Sequence, residues 1–519
     1  MVIRNASESA NIKVITLNKL TAKLKGKCVE NPHYTSPRSF CNIIKKTMKY
    51  IYCLLLTFIS TSLFGQIISE ELDGEIKRRV KLEINPSFSI GVLLPDGTTK
   101  FYGYGYYDNS KKQPDSLTLY EIGSVTKTFT ATLANIFLKD SLNKPLSFFF
   151  SGIENLKLDS LTLYELQNHI AGVPRLSNQF SPQNWSDPFN GYTDNILQKE
   201  LQDLNPDTSD IWSYSNFGYG ILGRAIEKTS GKSYENLMGG LLKNIGMNNT
   251  LLSPSNDENQ NIAKPTNIGT SNSNWHFTGP SRYAGGLVSN TKDLLNYLKY
   301  QKQNNVLFSS DSLQNLIQTG VPNLGKDKLF YKDGWFVLQP DSETNILLHN
   351  GGTGGFISFI GFNKNTGVGV VVLSNSVNVV DDIGINILYP TFKLNHPERT
   401  IAYELADIID IENTDNLVSQ FDSLKSENYP NNIIDIYWLE RFNFGKGNYS
   451  VSNQLSDIMV KELPEDWEVY DIKGQNLEKL RDYKKAIMSY EKALELNPAN
   501  ELLKDKIKRC TTLYKRNVE

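Results

Sequence analysis

The chain has 519 residues, of which 39% are hydrophobic, and this length predicts two or three domains with sizeable cores. Lys and Arg number 54 and Asp and Glu number 56, so the formal net charge is -2. A chain with this charge balance has no excess of positive charge that would attract nucleic acid or an acidic surface. We therefore predict no nucleic-acid binding.

The N-terminal part of the sequence predicts an export signal that begins within the chain. Basic residues precede an apolar run at 51–64, an order typical of a secretory signal peptide. We predict the signal at 48–65, with translation starting at Met48 and residues 1–47 as a non-native upstream extension. The run has about 14 residues, whereas a spanning helix needs roughly 20. We therefore expect a secreted or periplasmic protein rather than a signal-anchored one, with no stable membrane span after cleavage.

The elements that follow the signal predict an α+β domain at 66–395. Strand-like apolar runs lie at 88–94, 100–107, 346–349, 356–362 and 368–373. The turn signal Pro95-Asp96-Gly97 joins the first two runs into a hairpin. The stretch between the two sets, about 120–340, is mostly helical in pattern. We predict one antiparallel sheet assembled from both ends, flanked by helices, with a mostly helical second lobe across a cleft.

Ser124-Val-Thr-Lys127 opens a long apolar-periodic segment after the first strands. Positions i and i+3 share one face of a helix, so the two side chains can act as a nucleophile and its base. Four apolar residues at helical spacing are expected to bury Lys127: Phe129, Leu133, Ile136 and Phe137. Burial and the helix N-terminus both favour a neutral amine near pH 7. The alternative is a serine N-cap followed by a surface lysine.

A second polar cluster, Tyr214-Ser-Asn216, precedes the apolar residues Ile221, Leu222 and Ile226 of a predicted helix. A phenol and an amide two positions apart on a loop can both face a cleft. Tyr214 can then relay a proton to a leaving group, while Asn216 positions the substrate or the lysine. The alternative is a buried tyrosine whose hydroxyl is satisfied within the core.

A third cluster, His349-Asn-Gly-Gly-Thr-Gly-Gly355, ends an apolar strand. Four glycines in five positions usually mark close approach of another backbone. A strand edge of this kind can offer N–H groups to a substrate carbonyl, so the N–H groups of Ser124 and Gly352 are predicted to form an oxyanion hole. The alternative is a flexible loop between two strands.

The C-terminal part, 400–519, has a period of 34 residues. Two sets of residues recur at that spacing: Pro430, Pro464 and Pro498, and also Tyr449 and Tyr483. The last copy, 482–498, resembles a tetratricopeptide repeat, whose helix–turn–helix unit has the same length. We predict a small all-α domain with a half repeat, two full repeats and a capping helix from about Asn500. It either binds a protein or peptide partner or packs against the α+β domain.

Taken in order, the three clusters resemble the Ser-x-x-Lys, Tyr-x-Asn and Lys-Thr-Gly or His-x-Gly motifs of serine beta-lactamase-related, penicillin-binding-protein-like hydrolases. The resemblance is to the class C beta-lactamase and D-alanyl-D-alanine carboxypeptidase branch, and it covers about 70–390. Two further segments are similar to elements of that family: 161–174, which ends in His169-Ile-Ala-Gly-Val-Pro174, and Ala284–Ser289 with Asp293.

This resemblance implies a beta-lactamase/transpeptidase-like fold and an exported serine hydrolase. The enzyme would cleave an ester or amide bond of a small or peptide-like substrate through an acyl-enzyme on Ser124. Lys127 would be the base, and Tyr214 the proton shuttle that also activates the deacylating water. Four residues would bind substrate or line the cleft: Asn216, His349, Gly351 and Gly352. No metal or organic cofactor belongs to this chemistry.

Departures from the family pattern bear on the substrate. His349 stands where lysine is common, which removes a permanent positive charge for a substrate carboxylate. We therefore expect an esterase, amidase or D-peptidase more than an efficient beta-lactamase. Ala171 replaces a serine of the family element, at a position expected to be structural.

The sequence also allows functions other than this hydrolase. One is a binding protein on the same fold, catalytically weak or inactive, that recruits a partner through its repeats. The chain has neither a Gly-x-Ser-x-Gly nor a His-Glu-x-x-His motif, which argues against an α/β-hydrolase and a zinc protease.

Overall fold

The computed structural model describes residues 67–518, except for 178–179, 181, 183, 185, 208–210, 253–260, 310–312, 321–327 and 412–413. The predicted signal at 48–65 and the predicted extension at 1–47 lie outside the described residues. None of the described helices combines the length and the apolar composition that crossing a membrane requires.

The described strands are β1 Ser87–Leu93, β2 Thr99–Gly105, β3 Tyr120–Glu121, β4 Leu251–Leu252, β5 Thr266–Asn267, β6 Thr270–Ser271, β7 Leu287–Ser289, β8 Ile317–Gln318, β9 Leu329–Lys332, β10 Trp335–Leu338, β11 Ile346–Gly352, β12 Ile357–Asn363 and β13 Gly369–Ser374. One antiparallel sheet of eight of these strands organises the described part of the α+β domain, in the order β2-β1-β13-β12-β11-β10-β9-β8. β1 pairs with β13 from Phe88 opposite Ser374 to Leu93 opposite Gly369. The two ends of the domain therefore close one sheet, and the predicted fold class is confirmed.

Three strands of this sheet, β8, β9 and β10, come from the stretch that the sequence predicted to be helical and loop-rich. They contain only two to four residues each. An alternating pattern needs roughly four to eight residues to stand out, so strands this short leave no period to detect. The longer strands β1, β12 and β13 are buried along their whole length, which explains their continuous apolar runs.

Helices cover both faces of the sheet and build the second lobe. Within the α+β domain they are α1 Glu70–Lys81, α2 Thr126–Phe137, α3 Leu146–Phe149, α4 Leu163–Gln167, α5 Asp194–Asp203, α6 Asn216–Ser230, α7 Tyr234–Ile245, α8 Arg282–Gly285, α9 Thr291–Asn304, α10 Val306–Ser309 and α11 Asp381–Leu388. On one face, a Cβ built at Gly91 of β1 would lie 3.1 Å from Leu295 of α9. On the other, a Cβ at Gly384 of α11 would lie 2.2 Å from the Phe359 ring of β12. Glycines at these two positions let the helices pack directly on the strands.

A small second sheet, in the order β3-β7-β4, connects the two lobes near the cleft. Tyr120 pairs with Ser289, and the Ile122 N–H donates to the Leu287 carbonyl. This pairing brings the segment at 284–289 beside the start of α2.

The C-terminal helices, a name used below for α12–α18, are α12 Ile401–Asp410, α13 Leu417–Ser426, α14 Ile433–Gly445, α15 Tyr449–Glu462, α16 Trp467–Lys479, α17 Tyr483–Leu496 and α18 Glu501–Val518. The α14–α15 and α16–α17 pairs start 34 residues apart, and α18 follows them, as the periodicity predicts. Their core is shared with the α+β domain, because Ile268 is part of it and Val377 packs against it. These helices therefore form part of one continuous packed unit with the α+β domain.

Candidate active site

Ser124 lies in a tight turn at the N-terminal end of α2. β3 ends at Glu121, and the 3₁₀ turn Gly123–Val125 leads into the helix. Gly123 has φ of +47°, and a Cβ built on it would lie 2.9 Å from the Gly352 nitrogen. Glycine is therefore needed for the turn to approach β11 this closely. The approach leaves Ser124 partly exposed at the wall of a cleft.

Lys127 follows one turn later and is completely buried. Its Nζ lies 3.0 Å from Ser124 Oγ and 2.9 Å from the Ala284 carbonyl oxygen. It also lies 4.9 Å from the centre of the Tyr214 ring and 5.7 Å from that of Tyr219. No described carboxylate forms an ion pair with it. Burial, with a smaller effect of the charge on Arg175, lowers the pKa of Lys127 well below its ordinary value.

The burial of Lys127 has a different origin from the predicted one. Phe129 and Leu133 are buried in the core, as expected, but Ile136 is 50% exposed and Phe137 40% exposed. These two residues lie in the last turn of α2 and are left uncovered there, although Leu138, the next residue, is buried in the core. The lysine is covered instead by the rings of Tyr214 and Tyr219 and by the backbone at Ala284.

The segment at 284–289 orients the lysine and braces the helix that carries it. The Ala284 carbonyl accepts from Lys127 Nζ, and the Leu287 N–H donates to Thr126 Oγ1 at 3.1 Å. Asp293, which follows the segment, accepts from the Asn249 N–H and from Thr250 Oγ1 at 2.9 Å each. This part of the motif is therefore structural, while its first carbonyl contacts Lys127.

Tyr214 and Asn216 lie at the start of α6, on a loop that His169 holds from two sides. The Ser213 N–H donates to the His169 carbonyl at 2.8 Å, and the Ser215 N–H donates to His169 Nδ1 at 3.1 Å. The Asn216 N–H donates to the Arg175 carbonyl at 2.9 Å. Burial raises the pKa of Tyr214 to about 12, against opposing effects of Ser124 and Arg175. The phenol therefore keeps its proton at pH 7.

His169 is a neutral positioning residue beneath the tyrosine. Burial lowers the pKa of His169 well below its ordinary value, and the charge of Arg175 acts in the same direction. Its Nδ1 accepts a backbone hydrogen bond, so the proton of the neutral ring lies on Nε2. The ring centres of His169 and Tyr214 are 4.5 Å apart. His169 itself has φ of +62°, a conformation that the surrounding contacts must maintain.

The first four residues of the glycine-rich cluster lie on a strand, since β11 continues to Gly352, and 353–356 connect β11 to β12. A Cβ built at Gly351 would lie 2.0 Å from the Ile122 carbonyl oxygen and 2.7 Å from Ser124 N. The Thr353 N–H donates to the Phe356 carbonyl, so Gly352 and Ile357 form the next, non-hydrogen-bonded pair of the ladder. The Gly352 N–H therefore points away from β12, toward the turn that carries Ser124.

His349 is placed differently from the prediction that it lines the cleft. Its side chain is buried, and its Nδ1 lies 2.6 Å from the Asn350 carbonyl oxygen. Burial lowers the pKa of His349 to about 3. Because the side chains of a strand alternate in direction, the residue packs beneath the cleft, where its ring centre is 5.4 Å from that of Phe336.

The cleft between the lobes has a volume of about 680 Å³. Five of the predicted site residues line it: Ser124, Tyr214, Asn216, Gly351 and Gly352. Lys127 lies beneath Ser124, and His349 lies behind Tyr214, with 6.4 Å between the ring centres. Residues more than two hundred positions apart in the sequence therefore meet in one place.

Comparison with known proteins identifies the family. The family description Beta-lactamase matches residues 78–388, more than half of the chain. The chain belongs to the beta-lactamase family. A second description, Tetratricopeptide repeat, matches residues 468–500 within the C-terminal helices. The predicted relationship to serine beta-lactamase-like proteins with C-terminal repeats is confirmed.

Curated relatives of this beta-lactamase-family chain cover part of it. The protein named Beta-lactamase from Providencia stuartii is 30% identical over 274 residues, which are 51% of this chain and 67% of that protein. Protein flp from a Staphylococcus aureus strain is 28% identical over 327 residues, or 59% of this chain. The match spans 62% of Protein flp, less than two thirds of its length.

Solved structures share the fold of the beta-lactamase-family domain. A class C beta-lactamase in complex with cefoxitin has 22% sequence identity and a TM-score of 0.51, over 62% of this chain and 98% of that one. Another class C beta-lactamase has 21% identity and the same TM-score, over 63% and 97%. The chain therefore has the fold of the serine hydrolases of this family.

Sequence reasoning assigned no role to three residues that the structure places in or under this beta-lactamase-family cleft. His169 lies in the family-like segment at 161–174 and Arg175 directly follows it, so the sequence contained a signal for both. Trp438 of α14 also lines the cleft. Nothing in the local sequence singles it out, since it lies over three hundred positions after Ser124.

Proposed function

We propose that the protein is an exported serine hydrolase that cleaves an ester or amide bond through an acyl-enzyme on Ser124. The observation that carries the proposal is the pairing of Ser124 Oγ with Lys127 Nζ at 3.0 Å, with the amine completely buried and no described carboxylate paired to it. A lysine in such surroundings favours its neutral form, and a neutral amine is a base.

In the acylation step, Ser124 Oγ attacks the substrate carbonyl carbon while its proton passes to the Lys127 amine. The carbonyl oxygen becomes an oxyanion, which the N–H groups of Ser124 and Gly352 stabilise. Asn216 and the β11 edge at Gly351 hold the substrate in position. The Ala284 carbonyl accepts from the resulting ammonium and keeps it aimed at the serine.

The leaving group departs with a proton from Tyr214. Because its pKa is raised to about 12, Tyr214 is a phenol and acts as an acid rather than as a standing base. Its proton goes to the leaving oxygen or nitrogen, and the Lys127 ammonium restores it. In deacylation, water attacks the ester carbon and its proton travels through Tyr214 and Lys127 back to Ser124 Oγ. The enzyme then regains its starting protonation state.

The substrate is an ester or amide whose binding does not depend on a cation from the third motif. His349 is buried and neutral at pH 7, because its pKa is lowered to about 3. Of the described side chains that line the cleft, Arg175 alone carries a full charge. We therefore propose esterase, amidase or D-peptidase activity in preference to beta-lactamase activity, which the name of the Providencia stuartii relative states.

A covalent label tests this function. The full chain from Met48 onward is incubated with a fluorophosphonate, and intact-mass analysis should find one adduct on Ser124. Ser124→Ala should abolish the adduct and lower ester hydrolysis by several orders of magnitude. Ser489→Ala is the matched control, because Ser489-Tyr-Glu-Lys492 has the same spacing in α17, where Lys492 pairs with Glu495 at 2.7 Å. A folded wild type without an adduct would favour the catalytically inactive binding protein instead.

Export is proposed on the basic and apolar segments at 48–65. Expression of the full gene in a bacterium with an outer membrane should yield a periplasmic or secreted chain that begins near residue 66. Peptides from 1–47 in the native precursor would contradict the predicted start at Met48.

A further inference from the structure

The C-terminal helices reach the cleft itself. Trp438, on α14, lines the same cleft as Ser124, as does Val377 after β13. Both residues also pack against the core of the C-terminal helices. Trp438 is only partly buried, so a large apolar side chain is left available to whatever occupies the cleft. Large apolar surface at a cleft wall is a feature of ligand-binding sites.

Close packing fixes α14 against the rim of the cleft. A Cβ built at Gly445, the last residue of α14, would clash with Ser186. The end of α14 therefore packs directly against the loop that contains Ser186. Asp187, the next residue, accepts from the His276 N–H and contacts His276 Nδ1 at 2.7 Å each. On the sheet side, Asn378 Nδ2 donates to Tyr403 Oη of α12 at 2.6 Å. The C-terminal helices that carry Trp438 therefore contact the α+β domain on two sides of the cleft.

Four further aromatic residues of the same cleft form a connected group: Phe180, Phe189, Trp275 and Phe277. The Phe189 and Phe277 rings stack with centres 4.9 Å apart, and Phe189 meets Trp275 at 5.5 Å and Phe180 at 5.1 Å. No carboxylate lies among the described residues that line the cleft. Aromatic walls without acidic groups suit a flat or bulky apolar substituent.

We propose that Trp438 is a specificity-determining residue that binds an aromatic or similarly bulky apolar group of the substrate. The proposal rests on the proposed function and adds to it the class of substrate and a role for the C-terminal helices. Those helices complete the substrate site of the α+β domain from the same chain. Their contribution to specificity is separate from the chemistry, since Trp438 is assigned no contact with the reacting atoms.

Two esters with one leaving group test the proposal: 4-nitrophenyl acetate and 4-nitrophenyl phenylacetate. In the wild type, kcat/KM should be higher for the phenylacetyl ester. Trp438→Ala should lower the ratio of kcat/KM for phenylacetyl over acetyl by roughly tenfold, mainly through KM, because an aromatic contact is lost. Trp438→Phe should restore most of the ratio. Tyr437→Ala, one residue away on the same helix but outside the cleft lining, should leave the ratio at the wild-type value.

A binding measurement separates failure of this inference from failure of the proposed function. In Ser124→Ala, which cannot form the acyl-enzyme, titration calorimetry with phenylacetamide should show a dissociation constant that Trp438→Ala raises by roughly tenfold. This arm needs no catalysis, so it decides the inference even if Ser124 proves unreactive. Equal effects of Trp438→Ala and Tyr437→Ala in a folded protein, or an unchanged dissociation constant, would overturn the role of Trp438. Thermal unfolding of each variant identifies loss of the fold.

Discussion

Replacing Gly351 with alanine is expected to lower kcat/KM for 4-nitrophenyl acetate by two to three orders of magnitude. The new Cβ would lie 2.0 Å from the Ile122 carbonyl oxygen and 2.7 Å from Ser124 N, whereas carbon and oxygen normally approach no closer than about 3.3 Å. Either β11 or the serine turn must then move by roughly 1 Å. A displacement of that size costs ~10²-fold in rate. Loss of one oxyanion-hole donor costs about 3 kcal/mol, or ~10²–10³-fold.

The neighbouring glycine provides the matched comparison. A Cβ at Gly352 would have its closest contact with Ile357 Cδ1 at 3.5 Å, an ordinary van der Waals distance. The loss in Gly352→Ala should therefore be at least tenfold smaller than in Gly351→Ala. Steady-state kinetics would be combined with thermal unfolding and with fluorophosphonate labelling of Ser124. A folded Gly351→Ala enzyme with kcat/KM within tenfold of the wild type would refute the steric argument for this site.

Three further predictions concern charge. First, kcat/KM should fall as the pH drops through the lowered pKa of Lys127, while Tyr214 should cause no alkaline decline below about 12; a pH–rate profile checks both limbs, and full activity with a protonated lysine would contradict the base. Second, burial raises the pKa of Glu121 to about 7, above the unfolded value of about 4.3, so stability should fall as the pH rises from about 4 through 7. Glu121→Gln should be more stable than the wild type by about 3 kcal/mol at pH 8.5 in urea unfolding, and should lose this advantage at pH 4. Third, Arg175→Gln should move the acidic limb of the pH–rate profile to higher pH, because the charge of Arg175 lowers the pKa of Lys127. Added salt should move the acidic limb of the wild type in the same direction, because the exposed guanidinium of Arg175 is screened by ions.

The sequence was informative where long patterns or ordered motifs were present. Continuous apolar runs predicted β1, β12 and β13, and the recurrence of proline and tyrosine every 34 residues predicted the C-terminal helix pairs. The order of three clusters predicted which residues meet at the cleft. Local pattern could not predict strands of two to four residues such as β8, because they contain no measurable period.

Other features depended on contacts between distant parts of the chain. The hydrogen bonds of His169 to the tyrosine loop join residues over forty positions apart, so the histidine has no local signature of that role. The exposure of Ile136 and Phe137 depends on which distant elements cover the last turn of α2, and helical spacing does not specify that, since Leu138 beside them is buried. The inward position of His349 depends on the direction in which β11 presents alternate side chains.

The core that Ile268 and Val377 share with the C-terminal helices has a consequence for how the molecule comes apart. Unfolding of the C-terminal helices would expose Ile268, which is buried in their core, and Val377, which packs against it. Calorimetry should therefore record one cooperative transition, and limited proteolysis near residue 398 should not release a stable hydrolase fragment. Although a family boundary can be drawn along the sequence, it does not divide the molecule energetically.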